Sequence, residues 1–346
     1  MIYIIGWLLV YYYLAMRFFL KRHLKVIAGG VILFLSLISI FRGSVGTDTA
    51  TYERLVTRID TWSGLEPAFW ILMHIFNSLL DDPVWVVRAF SGIFAGILLW
   101  FVYKSDEEEL FFLMAFFVPL FFYNYSMNVI RVGTAFAILL LALQKDRRKE
   151  YKKSILLGIL SVLFHYSILF ALFFLWFNHD YNKENMWNRK NLFLIFVVLS
   201  LVAILVVLNE HYFLSKLAIY AYLEAPSLFS GLSRILLGLV LLAPIPFSNI
   251  SEYQKKRIVY SSLFFMILFF SMGIFVTPRL LDMVNLLIPM AMLRAYRRVN
   301  EPMDWRFKAA LFVAGLGGAV GMYRYMLNES FWSPSPFLPY HTVFDR

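Results

Sequence analysis

Long uncharged apolar runs recur along this chain from one end to the other, and they decide its class. Residues 31–41, 110–123 and 192–208 contain no Asp, Glu, Lys or Arg. Joined with their neighbours, several such runs approach the ~20 residues that cross a bilayer. Hydrophobic residues make up 61% of the 346, against about 45–50% in a soluble domain, which excludes a soluble globular protein. Residues 1–20 read as a span and not as a cleaved leader, because the run is too long and its positive charges gather after it. No cysteine is present, so thiol chemistry, disulfides and Cys-based metal sites are excluded.

The apolar pattern predicts spans over 2–20, 24–41, 83–103, 109–125, 129–144, 191–208, 232–249, 258–277, 279–296 and 309–326. Residues 67–80 are too short to span and carry His74 and Asn77, which predicts an interfacial or re-entrant helix. Residues 154–177 are interrupted by Phe164-His165-Tyr166-Ser167, which predicts two short helices meeting at His165. The expected protein is all-α: one polytopic integral membrane domain over 1–346, with about ten full transmembrane helices.

The formal net charge is +10, which in a soluble protein points to nucleic acid. Here the basic residues fall in short loops, 17–25, 145–153, 250–257 and 294–308, and so report topology instead. Placing those loops in the cytoplasm leaves loop 42–82, loop 209–231 and the tail 327–346 outside, at the inner or plasma membrane. No nucleic-acid partner is expected; the surrounding lipid is.

The same threading exposes a second asymmetry. Ten of the 32 basic residues fall on or near the outer side, and nine of them are arginine: Arg42, Arg54, Arg58, Arg88, Arg131, Arg234, Arg279, Arg324 and Arg346. Lysine suffices for topology. Arginine's planar fork suits paired hydrogen bonds to phosphate, whereas scattered snorkelling to headgroups would employ lysine as well.

The longest polar stretch opens with Arg42-Gly43-Ser44-Val45-Gly46-Thr47-Asp48-Thr49 directly after a span. Thr47 or Asp48 is placed to cap a helix starting near Thr49. The functional reading is an outward Arg42–Asp48 pair at the mouth of a cavity, with Asp48 as base or hydroxyl-orienting group and Arg42 on a diphosphate. An ionisable residue within a span is a functional candidate, which singles out His165; its bland alternative is a histidine satisfying backbone freed at the helix break. Tyr52 and Trp62 are candidates to stack on sugar rings. The six histidines show no metal-ligand spacing, so no metal and no cofactor is expected. Asp282 stands three residues after Arg279 and reads as its ion-pair partner on one helix face. The glycines over 315–321 lie in an apolar span and read as close helix packing, not as a nucleotide loop.

The segment Arg42-x-x-Val45-Gly46-Thr47-Asp48-Thr49-x-x-Tyr52 resembles the signature loop of the EpsG family, the Wzy-like exopolysaccharide polymerases. Further matches follow in order: Glu66-Pro67-x-Phe69, with Ala68 in place of a family glycine; Asn128-x-x-Arg131-x-x-x-Ala135, with Val132 where the family commonly has Gln; Phe164-His165-Tyr166-Ser167; and Arg279 at the start of a late span. The resemblance implies extracytoplasmic polymerisation of undecaprenyl-diphosphate-linked oligosaccharide repeat units into exopolysaccharide or O-antigen. The enzyme would be a membrane glycosyltransferase needing neither metal nor nucleotide, with a chain-length regulator and a flippase as partners. Asp48 and His165 are then the candidate bases for the attacking sugar hydroxyl. Arg42, Arg131 and Arg279 are the groups expected to meet the departing diphosphate, and Tyr52, Arg88, Asn128 and Arg234 are expected to bind substrate. Two alternatives use the same features. A lipid-linked oligosaccharide flippase or transporter would move units without lengthening them, and the missing internal repeat disfavours it. A membrane O-acyltransferase would incorporate labelled acyl groups.

Overall fold

A computed structural model describes residues 2–20, 24–59, 66–179, 231–272, 276–298, 302–327 and 337–345, with a few isolated helical positions between 207 and 218. The expected span 191–208, most of the loop 209–231, Trp62, Lys216 and Arg346 lie outside the described residues. Those residues form helices and no strand. The helices are α1 (Ile2–Leu20), α2 (Lys25–Ile40), α3 (Thr49–Val56), α4 (Pro67–Leu80), α5 (Pro83–Lys104), α6 (Glu107–Met127), α7 (Ile130–Arg147), α8 (Tyr151–Phe164), α9 (Ile168–Phe177), α10 (Leu232–Leu242), α11 (Glu252–Met272), α12 (Thr277–Arg298) and α13 (Trp305–Leu327).

Four of these, α1, α5, α6 and α13, are long and apolar enough to cross a membrane, and the chain is an all-helical membrane protein. The expected number of about ten full spans is not reached among the described residues. Of the other expected spans, α2 and α10 are short, α7, α11 and α12 carry charged residues within their ends, and 191–208 lies outside the described residues. The helix expected over 67–80 is present, and 154–177 does break at His165.

Within the single domain read from the sequence, two compact units are distinct. The first comprises Met1–Thr61, Leu65–Ile168 and Pro302–Arg346; the second comprises Trp62–Gly64 and Leu169–Glu301.

The first unit is built around α6. This helix is apolar on every side, the pattern of a fully enclosed helix, and its run from Phe112 to Val118 is buried without exception. Pro119 has no N–H to offer the preceding turn, and just before it residues Leu113–Phe117 widen into a π-turn, with Val118 N–H donating to Leu113 O. Gly315 of α13 lies against this helix so closely that a Cβ there would sit 1.9 Å from Ala115 O, so the glycine-rich stretch serves helix contact. Trp7 of α1 donates to Pro119 O at 3.2 Å.

The second unit contains most of α9 together with α10, α11 and α12. Side-chain amides and guanidiniums tie its helices: Asn285 donates to Arg234 O at 2.8 Å and Arg294 to Leu175 O at 2.9 Å.

Candidate functional site

The loop after α2 is held in place by two arginines that do not face outward. Arg42 Nη1 donates to Ser39 O at 2.5 Å and to Ser91 Oγ at 2.7 Å, and its Nη2 donates to Met127 O at 3.2 Å. Arg88, on α5, donates through Nε to Arg42 O at 2.9 Å and through Nη2 to Gly43 O at 2.6 Å, and it pairs with Glu53 at 3.1 Å. Their exposures are 0% and 1%. A buried guanidinium is costly unless its donors are satisfied; helix-end carbonyls and a serine hydroxyl serve Arg42, and two loop carbonyls with Glu53 serve Arg88. The expectation that Arg42 opens a cavity mouth onto a diphosphate, and that Arg88 binds substrate, therefore meets a different placement: both are struts beneath the loop.

Above those struts the chain turns sharply. Gly46 has φ +106°, and a Cβ there would lie 2.8 Å from Met127 O, so only glycine fits both the backbone conformation and the close approach. Asn128, at the turn between α6 and α7, accepts from Thr47 Oγ1 at 2.5 Å and from the Asp48 backbone N–H at 2.9 Å. Asn128 is 5% exposed, so it too positions the loop. Asp48 precedes α3 without a side-chain capping bond. It is half-buried, and its carboxylate forms no ion pair among the described residues.

The reactive cluster of the first unit centres on Glu66. This residue precedes α4 in an extended conformation, with Pro67 preset for the first helical turn. Its side chain is 1% exposed. Oε2 accepts from Arg131 Nη1 at 2.7 Å, and Oε1 lies 2.6 Å from His165 Nδ1. Arg131 stands in the first turn of α7, with its guanidinium carbon 5.8 Å from the Tyr52 ring centre and 5.7 Å from that of Phe69. His165 ends α8 with an extended backbone. Ser161, one turn earlier, anchors that helix to α7 through Ala135 O at 2.8 Å. Three helix ends and the α3 aromatic thus converge on one carboxylate.

Burial pushes the Glu66 carboxyl up. The Arg131 charge, followed by the hydrogen bond and charge of His165, outweighs burial and brings its pKa down to about 2. Near neutrality Glu66 is thus an anion that only accepts hydrogen bonds. The proton between it and His165 belongs on Nδ1, and in the neutral ring the lone pair is on Nε2. Side-chain exposures of 21% for His165 and 16% for Arg131 leave the two partners reachable while their common anion is sealed. A carboxylate that orients an imidazole and fixes its tautomer is a base-activating device.

The structure therefore brings together Arg131, His165 and Tyr52 of the expected site residues. Arg234 and Arg279 belong to the second unit. Arg279 is exposed at the start of α12. Asp282 lies 3.4 Å from Arg234 Nε, because α10 packs against α12 and carries Arg234 to it, and it also feels the charge of Arg279 in its own helix. Glu66 was within a quoted motif but had no assigned role. The available signal was charge balance: Arg131 at the end of a span calls for an anion, and Glu66 is a glutamate beside an interfacial helix.

The model of the EpsG family matches residues 25–334. No curated protein and no solved structure matches the chain.

Proposed function

Because the chain belongs to the EpsG family, whose members are exopolysaccharide-related membrane proteins, we propose that it lengthens lipid-linked glycans at the outer face of the membrane, with Glu66 and His165 as its proton-accepting pair. The single observation that carries this reading is the Glu66 carboxylate shared between His165 Nδ1 and Arg131 Nη1, at 2.6 Å and 2.7 Å.

The chemistry follows from that arrangement. His165 Nε2 takes the proton of an acceptor sugar hydroxyl. The hydroxyl oxygen forms a bond to the anomeric carbon of the donor glycan. The bond from that carbon to the polyprenyl diphosphate breaks, and the diphosphate leaves with the electron pair. The positive charge of Arg131 favours the developing anion. The imidazolium formed on His165 is stabilised by Glu66, as in other carboxylate–histidine pairs. Tyr52 is buried between Arg131 and Phe69, so in place of the expected stacking on a sugar its ring holds the guanidinium in position. Arg42, Arg88 and Asn128 support this reading indirectly by holding rigid the loop that carries Asp48 and Tyr52. The glycosidic bond energy resides in the donor, so the reaction needs no nucleotide.

An undecaprenyl-diphosphate-linked repeat unit is the proposed substrate. Purified protein incubated with that molecule is expected to yield a ladder of products on a gel. Recovery of unlengthened starting material alone would overturn the polymerase reading. A second reading, O-acyl transfer, is favoured by the same carboxylate-supported histidine, which serves equally to deprotonate a hydroxyl for attack on an acyl donor. Incorporation of labelled acyl groups without a ladder would select it.

A further inference from the structure

In the second unit, α9 and one face of α11 enclose a groove of about 540 Å³ lined by Phe173, Phe177, Tyr260, Phe264, Lys256 and Arg257, among others. The α11 residues Tyr253, Lys256, Arg257, Tyr260, Ser261, Phe264 and Phe265 recur at helical spacing, so they form one stripe. The stripe covers about 18 Å of helix, at about 1.5 Å per residue. That length is close to one leaflet of a hydrocarbon core about 30 Å thick.

The two ends of the stripe differ in chemistry. One is apolar and open: Tyr260, Phe264 and Phe173 are 66%, 60% and 42% exposed. The other is positive, and neither Lys256 nor Arg257 forms an ion pair among the described residues. Arg257 is only 9% exposed; its Nη1 donates to His179 O at 3.1 Å, and its guanidinium lies 4.6 Å from the Phe177 ring. Its Nε is buried with no hydrogen-bond partner. Lys256 is exposed and forms no ion pair among the described residues. The nearby acid, Glu252, pairs with Lys255 at 2.7 Å and points to solvent with 76% exposure. A buried donor facing no acceptor beside a bare ammonium calls for an anion, and the apolar track leading away calls for hydrocarbon.

We propose that this groove holds one anionic phospholipid, with its phosphate on Lys256 and Arg257 and an acyl chain along Tyr260, Phe264 and Phe173. The positive-inside rule puts the basic end of α11 at the cytoplasmic leaflet, where anionic lipids present a negative surface. The site would thus anchor its helices to the lipid, and it stands or falls independently of the polymerising chemistry.

The full chain in detergent, titrated with phosphatidylglycerol and with phosphatidylcholine and read by native mass spectrometry, tests the site. Preference for phosphatidylglycerol is expected, and Lys256→Gln is expected to reduce it about 5-fold, while Lys153→Gln, at the basic start of α8 in the first unit, leaves it intact. Phosphatidylglycerol with a photoreactive acyl chain is expected to label α9 or α11. Arg257→Gln removes a structural hydrogen bond to His179 O, whereas Lys256→Gln alters an exposed side chain and decides the matter alone. Equal retention of the two lipids, an unchanged preference in Lys256→Gln, or labelling confined to other helices would each overturn the proposal.

Discussion

Two buried glutamates organise the first unit, and their surroundings separate structure from chemistry. Glu66 and Glu109 are each 1% exposed. Glu109 belongs to a capping box at the start of α6, where its side chain and Asp106 exchange hydrogen bonds. It pairs with Arg147 at 2.7 Å and Arg148 at 3.3 Å, and it accepts from Gln144 at 2.9 Å. Every partner of Glu109 is a permanent cation or an amide. Glu66 pairs with one guanidinium, Arg131, and with one imidazole, His165. Glu109 therefore clamps helix ends, while Glu66 orients the histidine proposed as base. Similar burial at two sites carries different consequences because an imidazole has a second ring nitrogen that can accept a proton and a guanidinium has no acceptor.

The sharpest way to break this contrast is to remove the imidazole. His165→Ala is expected to lower the rate of chain growth about 10²–10⁴-fold, with thermal melting of the purified protein close to wild type. A rate within about threefold of wild type would end the general-base assignment. The opposite arm is Glu109→Gln, which takes the paired anion from Arg148 and leaves Arg147 with Asp106 alone. Loss of one partner of a buried pair costs about 3–5 kcal/mol, so melting temperature and yield should fall, whereas the rate per folded molecule should hold.

Acid distinguishes Glu66 by its titration. Its folded pKa of about 2 lies below the ordinary 4.5. The stability it confers is present in full above the unfolded value and is lost as pH falls from about 4.5 through about 2. The window corresponds to at most about 3 kcal/mol. Denaturation midpoints of wild type and Glu66→Gln should converge across it; parallel curves would place the acid sensitivity elsewhere. The smallest expected effect is from Arg131→Lys, which keeps the charge but loses the planar fork. A drop of about 10-fold in chain growth is expected, and unchanged activity would show that charge alone suffices there.

Much of the fold was legible because membrane helices announce themselves by hydropathy. The uncharged run through Phe112 and Phe117 becomes the enclosed centre of the first unit, and the polar interruption at His165 becomes a true helix break. Short α4, starting at Pro67, was legible from its length. Direction was not. An arginine at the outer end of a helix has the same sequence signature whether its fork grips a phosphate or its own chain. Arg42 and Arg88 grip carbonyls of Ser39, Met127, Arg42 and Gly43, a choice made by loop geometry that hydropathy does not encode. The Glu66 pairing spans 99 residues to His165 and 65 to Arg131, so no local pattern contains it. Likewise Asp282 has Arg279 within reach along its own helix, yet Arg234 reaches it from α10.

The central claim is that Glu66 activates His165, and the rate of Glu66→Gln measures it directly. Purified, folded Glu66→Gln is to be compared with wild type and Glu109→Gln at equal folded concentration, with a lipid-linked repeat unit as substrate and the product ladder as readout. The account predicts a rate about 100-fold below wild type for Glu66→Gln and a near-normal rate for Glu109→Gln. Equal ladders from Glu66→Gln and wild type would contradict it.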